Sequence, residues 1–173
     1  MNTGQMLQTI GALGLLSLLI LNANRAVLGN TRTVYTGQYA STAISIAQSY
    51  ILEATVKEYD SKTIGLSLVK DESKFSAILG PETSETSIGK FNDIDDFNGY
   101  TAMVTTPTDP LTAYEVRFTV EYVDENDYSV VHANPTFYKC ITVSVTVPYA
   151  DPALFQGEES TPRVSLSSVV SYH

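Results

Sequence analysis

A short acidic stretch near the middle of the chain has the side chains whose types and spacing come nearest to a ligand-binding site. Its oxygen-bearing residues are Asp93, Asp95, Asp96 and Asn98. Calcium-binding loops place oxygen ligands at alternate positions, followed by a glycine and a distal glutamate. Here Phe97 occupies the third alternating position, and Gly99 comes one place late. The four residues are candidate calcium ligands, but we favour Asx-turn and capping roles for them and predict no metal site.

Residues that act as nucleophiles or general bases are few and scattered. His132 lies beside a predicted turn, His173 ends the sequence, and Cys140 is the single cysteine. One cysteine can form neither an intramolecular disulfide nor a cysteine-based zinc site. The sequence contains no recognisable nucleophile motif and no glycine-rich phosphate loop. We therefore predict no catalytic residue and no cofactor, and we expect that the chain is not an enzyme.

Charge is distributed unevenly along the chain, whose formal net charge is −9. Eighteen of the nineteen acidic residues and eight of the ten basic residues follow Val56. A nucleic-acid partner would need a basic face, so the acidic second part argues against one. An acidic surface rich in Ser, Thr and Tyr suits an extracellular, solvated domain.

The elements that would position these residues are clearest in the C-terminal part. Apolar and polar residues alternate over 112–123, 139–147 and 163–172, which is typical of antiparallel strands with one wet face. In the first segment the apolar residues are Tyr114, Val116, Phe118, Val120 and Tyr122. Residues 148–162 are predicted to be a long loop. The stretch 57–110 has little regular pattern, and we predict that it is a loop region.

A helical pattern precedes this loop region. Over 31–56, Tyr35, Tyr39, Ile46, Tyr50 and Ala54 recur mostly at four-residue steps, which predicts an amphipathic helix. Its other face is polar and nearly uncharged, which favours contact with further protein. A long N-terminal helix packed on a C-terminal antiparallel β-sheet is an α+β fold.

The first part of this helix is expected to be apolar throughout. Residues 1–24 contain no charged side chain, and 6–21 are interrupted only by Gln8, Thr9 and Ser17. As a helix, 6–21 would be about 24 Å long, slightly shorter than a comfortable membrane span. A basic segment does not precede it, which disfavours a signal peptide. As a membrane anchor, it would be followed by Arg25 and Arg32. Basic residues beside a membrane helix tend to stay in the cytoplasm, which would place the acidic domain there.

Glycines and asparagines in the N-terminal helix indicate where it could pack closely or be interrupted. Gly11 and Gly14 would let neighbouring helices approach closely, although tolerance of glycine in a buried helix is an equal alternative. Asn22, Asn24 and Gly29 are poor helix formers, so we predict a melted or kinked stretch within 22–30. We divide the chain into an apolar assembly or membrane helix over 1–28 and a globular head over 29–173, with its sheet over 111–173.

Residues 1–28 resemble the mature N-terminus of a type IV pilin or pseudopilin. Met1 matches the start of that family's apolar helix, and residues 14–21 follow its register of a glycine and then apolar residues. Gln5 stands where the family has Glu, and Asn22 stands where a helix-breaking Pro is usual. The resemblance covers about a sixth of the chain. The missing basic leader is expected if Met1 is a processed and methylated N-terminus.

The resemblance implies a structural subunit of an extracellular, type IV pilus-like filament at the cell surface. The chain would be inserted in the cytoplasmic membrane before assembly and would then form a helical homopolymer by bundling its N-terminal helices. The implied assembly residues are Met1, Gln5, Leu7, Ile10, Gly11, Leu13, Gly14, Leu16, Leu18 and Leu21. Gln5 can accept a hydrogen bond from a neighbour's terminal ammonium but cannot neutralise it. The alternatives are a pseudopilin or minor pilin of a secretion or assembly machine, and a membrane-tethered acidic binding domain.

Overall fold

The computed structural model describes residues 2–65, 68–148 and 163–172. Over these residues it has one long helix, α1 (Thr3–Thr55), and a five-stranded antiparallel sheet. The strands are β1 (Thr101–Thr106), β2 (Asp109–Val123), β3 (Val131–His132), β4 (Tyr138–Thr146) and β5 (Arg163–Ser171). The second half of α1 packs on β4 and β5. The predicted α+β fold is therefore confirmed.

The second half of α1 meets the sheet through small side chains. Ala43, Ala47 and Ala54 are buried, and their size lets the helix backbone lie close to the strands. Tyr50, which belongs to the predicted stripe, packs edge-on against Phe118 of β2, with ring centroids 5.7 Å apart. Residues at this spacing lie on one helix face, and Tyr39, Ile46, Tyr50 and Ala54 of the predicted stripe belong to or pack against the core. Tyr35, at the start of the stripe, is exposed, so the packed face begins one turn later than predicted.

The sheet is a meander whose order is β1–β2–β4–β5, with the short β3 paired to one end of β2. The register sets Phe118 opposite Val143 and Tyr122 opposite Lys139. The next pair sets Val143 opposite Leu166. Since side chains alternate between the two faces of a strand, this register aligns the apolar residues on the face that meets α1. The strands predicted over 112–123, 139–147 and 163–172 are confirmed as β2, β4 and β5.

The melted stretch predicted within 22–30 is wrong for this structure, and the kink given as its alternative stays a prediction. The helix is continuous through Asn22, Asn24 and Gly29. Asn and Gly lower helix stability by about 1 kcal/mol or less each, and no competing contact holds this stretch in another conformation. A weak local preference does not end a helix that continues for many residues on both sides.

The loop region predicted over 57–110 contains β1 and the beginning of β2, so this part of the prediction is wrong. β1 pairs with β2 from Thr101 opposite Arg117 to Thr106 opposite Asp109. It is an edge strand whose residues alternate between exposed and half-buried, so hydrophobic alternation in its sequence is weak. β1 is extended because its backbone hydrogen-bonds to the longer strand β2. Most of the predicted loop over 148–162 lies outside the described residues.

The rest of the stretch after α1 has few regular elements but is well packed. Its aromatic residues form a cluster against the sheet, where Phe97 lies 5.1 Å from both Phe91 and Phe118 between ring centroids. A single 3₁₀ turn, Asp95–Phe97, places Phe97 in this cluster and buries Asp95 and Asp96 beside it. The acidic stretch predicted from sequence is therefore part of the core.

Candidate functional site

The exposed half of α1, which we define as residues 2–31 including the N-cap Asn2, carries a long run of exposed apolar side chains. Every residue in it is exposed. The predicted assembly leucines and isoleucine are half to three-quarters exposed: Leu7 75%, Ile10 65%, Leu13 58%, Leu16 54%, Leu18 59% and Leu21 52%. Apolar residues on every side of a helix indicate burial in lipid or among other helices. The helix is long and apolar enough to cross a membrane.

Three hydroxyls within this surface are satisfied by the helix itself. The hydroxyl of Thr9 donates to the backbone carbonyl of Gln5 at 2.8 Å, and that of Ser17 donates to Leu13 at 2.9 Å. Thr31 makes the same contact with Val27. Hydroxyls bonded to the preceding turn carry little penalty in an environment without water. The two hydroxyl residues that interrupt the apolar run are thus compatible with burial in a bilayer or a helix bundle.

Gly11 and Gly14 have no role within one copy of the chain. A Cβ atom built at either position would meet no atom within 4 Å. Each glycine also lowers helix stability by about 1 kcal/mol relative to alanine.

Gln5 is exposed in the first turns, and its side chain has no hydrogen-bond partner among the described residues. Met1 lies outside those residues.

A second site lies inside the head, around a fully buried lysine. Lys139 of β4 is 0% exposed. Its ammonium donates to Asp95 Oδ1 at 2.8 Å and to the backbone carbonyl of Tyr59, and it lies 3.6 Å from Asp60 Oδ2. The ring centroid of Tyr59 is 4.4 Å from the same nitrogen. A buried ammonium is tolerable only with such partners, and removing one partner costs about 3–5 kcal/mol.

Asp60 connects this lysine to the irregular segment after α1. Its carboxylate accepts hydrogen bonds from the backbone of Ser76 at 2.6 Å and of Lys62 at 3.0 Å. The hydroxyl of Tyr122 donates to the carbonyl of Ser76 at 2.9 Å. Three segments far apart in sequence therefore meet at one buried ion pair, which identifies the cluster as a structural clamp.

The electrostatics of the cluster follow from burial. Burial raises the pKa of Asp95, and the charge of Lys139 opposes that rise. Burial, followed by repulsion from Asp95, raises the pKa of Asp93 to about 8. Burial is also the largest cause of the raised pKa of Tyr59 and of Tyr122. One buried ammonium does not neutralise all the carboxylates around it, so a proton on Asp93 is favoured in the fold.

The four predicted calcium candidates do not converge on one point. Asp95 binds Lys139, and Asp93 accepts hydrogen bonds from the backbone of Ser61 and of Asp96. The Asn98 amide donates to Leu79 O at 3.1 Å and accepts from the Val120 backbone at 3.0 Å. Asp96 instead has a carboxylate oxygen within 4.8 Å of oxygens of Glu82 and Glu85. Hydrogen bonds to the backbone account for Asp93 and Asn98, and the ion pair with Lys139 accounts for Asp95.

Sequence reasoning missed Lys139, although a signal was present. Lys139 has the same strand parity as Ile141, Val143 and Val145, all of which face the core. A charged residue at an inward position requires a buried partner. Cys140 lies on the other face and is half-buried. His132 lies on the surface, 3.3 Å from Asp124.

Comparisons with known proteins assign no family to this chain. No family model, no curated protein and no solved structure matches it. Function must therefore be inferred from the chain itself, which combines an exposed helix that could span a membrane with a well-packed α+β head.

Proposed function

We propose that this protein is a structural subunit of an extracellular, type IV pilin-like filament, assembled by bundling the exposed half of α1. The observation that supports this proposal is the contrast within one helix. Residues 2–31 are all exposed, and 6–21 within them are apolar on nearly every side, whereas Ala43, Ala47 and Ala54 of the same helix are buried in the head. A head that is complete without residues 2–31 leaves that surface available for lipid or for other copies.

The proposed mechanism has two stages. The exposed half of α1 first lies in the membrane and then leaves it to pack against the same segment of neighbouring chains. Burying about ten large apolar side chains, at about 1.5–3 kcal/mol each relative to water, keeps the segment out of solvent at both stages. Exchange of lipid for other helices is nearly neutral for apolar surface, so close packing must select the filament. Gly11 and Gly14 would permit that close packing.

The outward face of the second half of α1 supports a further contact in the filament. Gln38, Ser41, Ser45, Gln48 and Ser49 are exposed and uncharged. Uncharged polar groups cost less to desolvate than charged ones. This face would meet the heads of neighbouring subunits.

Gln5 favours a second candidate within the same class, a minor pilin or pseudopilin. Without a negative charge at this position, the neighbour's terminal ammonium would be hydrogen-bonded but not neutralised. Such a subunit would be made in small amounts and would lie at a filament tip or in a secretion machine. Quantitative mass spectrometry of cells separates the two candidates, because a major subunit is made in large excess.

A membrane-tethered binding domain is the alternative from another class. A groove of about 590 Å³ lies between α1 and the β1–β2 turn, and it is lined by Tyr35, Tyr39, Leu111 and Tyr114 among others. In a tethered binder the exposed half of α1 would remain in the membrane, and the chain would not self-associate.

The test compares Leu16→Asp and Leu18→Asp with the control Ile78→Asp, in which an 86% exposed residue of the head is changed. Producing cells are sheared, and the released material is examined by electron microscopy and by mass spectrometry of its N-terminus. We expect filaments from the wild type and the control and none from either leucine variant. Normal filaments from the leucine variants would refute helix bundling. Wild-type protein that stays monomeric in the membrane would favour the tethered binder.

A further inference from the structure

Three carboxylates in the head approach one another without a balancing cation. Glu82, Glu85 and Asp96 each have an oxygen within 4.8 Å of the others. Glu85 and Asp96 are buried, at 7% and 1% exposed, whereas Glu82 is exposed. Among the described residues, no Lys or Arg forms an ion pair with any of the three. Like charges held together in a partly buried place are unfavourable unless something neutralises them.

Asp96 provides an independent observation that points to a ligand. Its Oδ2 accepts hydrogen bonds from the backbone of Asn92 at 2.8 Å and of Asp93 at 3.2 Å. Its Oδ1 is buried and has no hydrogen-bond partner in the described structure. Buried carboxylate oxygens are normally bonded to a donor or to a metal. One oxygen of Asp96 thus fixes the side chain, and the other remains unsatisfied.

The surrounding contacts hold the two glutamates in place toward Asp96. Glu85 accepts from the backbone of Glu82 at 3.0 Å and from the amide of Asn92. The hydroxyl of Ser61 donates to Glu82 at 2.7 Å. These contacts hold both glutamates where an oxygen of each lies within 4.8 Å of Asp96.

We propose that Glu82, Glu85 and Asp96 bind a calcium ion. All three ligands are carboxylates, which hard cations prefer. Calcium accepts six to eight oxygens in flexible arrangements, whereas magnesium demands a near-ideal octahedron. The exposed side of Glu82 leaves coordination positions for water, and the Ser61 hydroxyl lies beside it. The ion would join the segment after α1 to the 3₁₀ turn Asp95–Phe97. This site is independent of the proposed assembly.

The test uses the full chain in detergent micelles after treatment with a chelator. Calcium is added to about 5 mM, above the dissociation constants of about 0.1–1 mM that are usual for extracellular calcium modules. We expect calcium to raise the Tm of the wild type by about 5 °C and magnesium to raise it far less. Glu85→Gln and Glu82→Gln should lose at least tenfold in calcium affinity by calorimetry. Glu125→Gln, in an exposed turn, should bind calcium like the wild type.

Glu85→Gln also provides a readout that a damaged fold would not reproduce. In chelator its Tm should equal or exceed that of the wild type, because the substitution removes repulsion between carboxylates. Glu82 is exposed, so Glu82→Gln gives the same test without disturbing a buried position. A wild-type Tm that does not respond to calcium would overturn the proposal, as would unchanged affinity in Glu82→Gln. An equal response to magnesium would overturn the assignment to calcium.

Discussion

The two halves of α1 are continuous in backbone but differ in what they require around them. In the second half, Ala43, Ala47 and Ala54 are buried and the opposite face is polar. In the exposed half, Leu13, Leu16 and Leu18 lie among apolar neighbours on every side. A striped helix is satisfied by one sheet, whereas a helix that is apolar all round must be surrounded. Among the described residues, the head packs around its own core, whereas every residue of the exposed half of α1 is exposed.

Deletion of residues 1–30 removes the exposed half of α1, and we expect it to have the largest effect on self-association and almost none on the fold of the head. We expect the 31–173 fragment to be soluble and monomeric, because the core residues of α1 begin at Tyr39. Its Tm should lie within a few degrees of that of the full chain in micelles. Circular dichroism melting and sedimentation velocity measure the two properties. A fragment that fails to fold would show that the head depends on the exposed half.

Replacing Lys139 should disrupt the head and leave the exposed half of α1 unaffected. Lys139→Met leaves Asp95 and Asp60 buried without their cation, so we expect a loss of about 3–5 kcal/mol in the free energy of unfolding. Lys70→Met, at an exposed position, should change it by less than about 0.5 kcal/mol. Urea denaturation measures both. Equal stability of the two variants would contradict the clamp, and Lys139→Met/Asp95→Asn should recover part of the loss.

A larger side chain should destabilise the head where α1 packs on the sheet, but not in the exposed half of α1. Ala47 is 0% exposed, so Ala47→Leu should overpack the interface and lower the free energy of unfolding by about 1–3 kcal/mol. Ala23→Leu makes the same change in the exposed half and should leave head stability unaltered. Urea denaturation distinguishes them, and a tolerated Ala47→Leu would mean that the helix does not lie close to the strands.

The smallest expected effect on the monomer comes from the glycines. Gly14→Ala should raise helix stability by up to about 1 kcal/mol, because nothing in the monomer lies near the added methyl group. If helices pack closely there in a filament, the same substitution should reduce assembly. Gly37→Ala is the matched control, since it also has open space around it. Thermal melting and electron microscopy give the two readouts; unaltered filaments from Gly14→Ala would remove that glycine from the assembly contact.

Prediction from sequence succeeded where one local pattern has one physical meaning. The alternation around Phe118 and Val143 predicted strands, and the spacing of Tyr39, Ile46 and Tyr50 predicted the helix face that packs on them. It failed for β1 and for the stretch 22–30, because weak local preferences were decided by neighbouring structure. β1 gains its hydrogen bonds from β2, and an asparagine does not end a helix that continues for many residues on both sides of it.

The amino-acid sequence by itself determined the α+β fold, the apolar N-terminal half of α1 and the acidic head, because periodicity and composition act over short distances. Only the tertiary structure decided which charges meet. Lys139 reaches a backbone carbonyl 80 residues away and a carboxylate 44 residues away, and Glu82, Glu85 and Asp96 converge from two separate turns. Partners of buried charges depend on strand register and loop packing, which no short stretch of sequence contains.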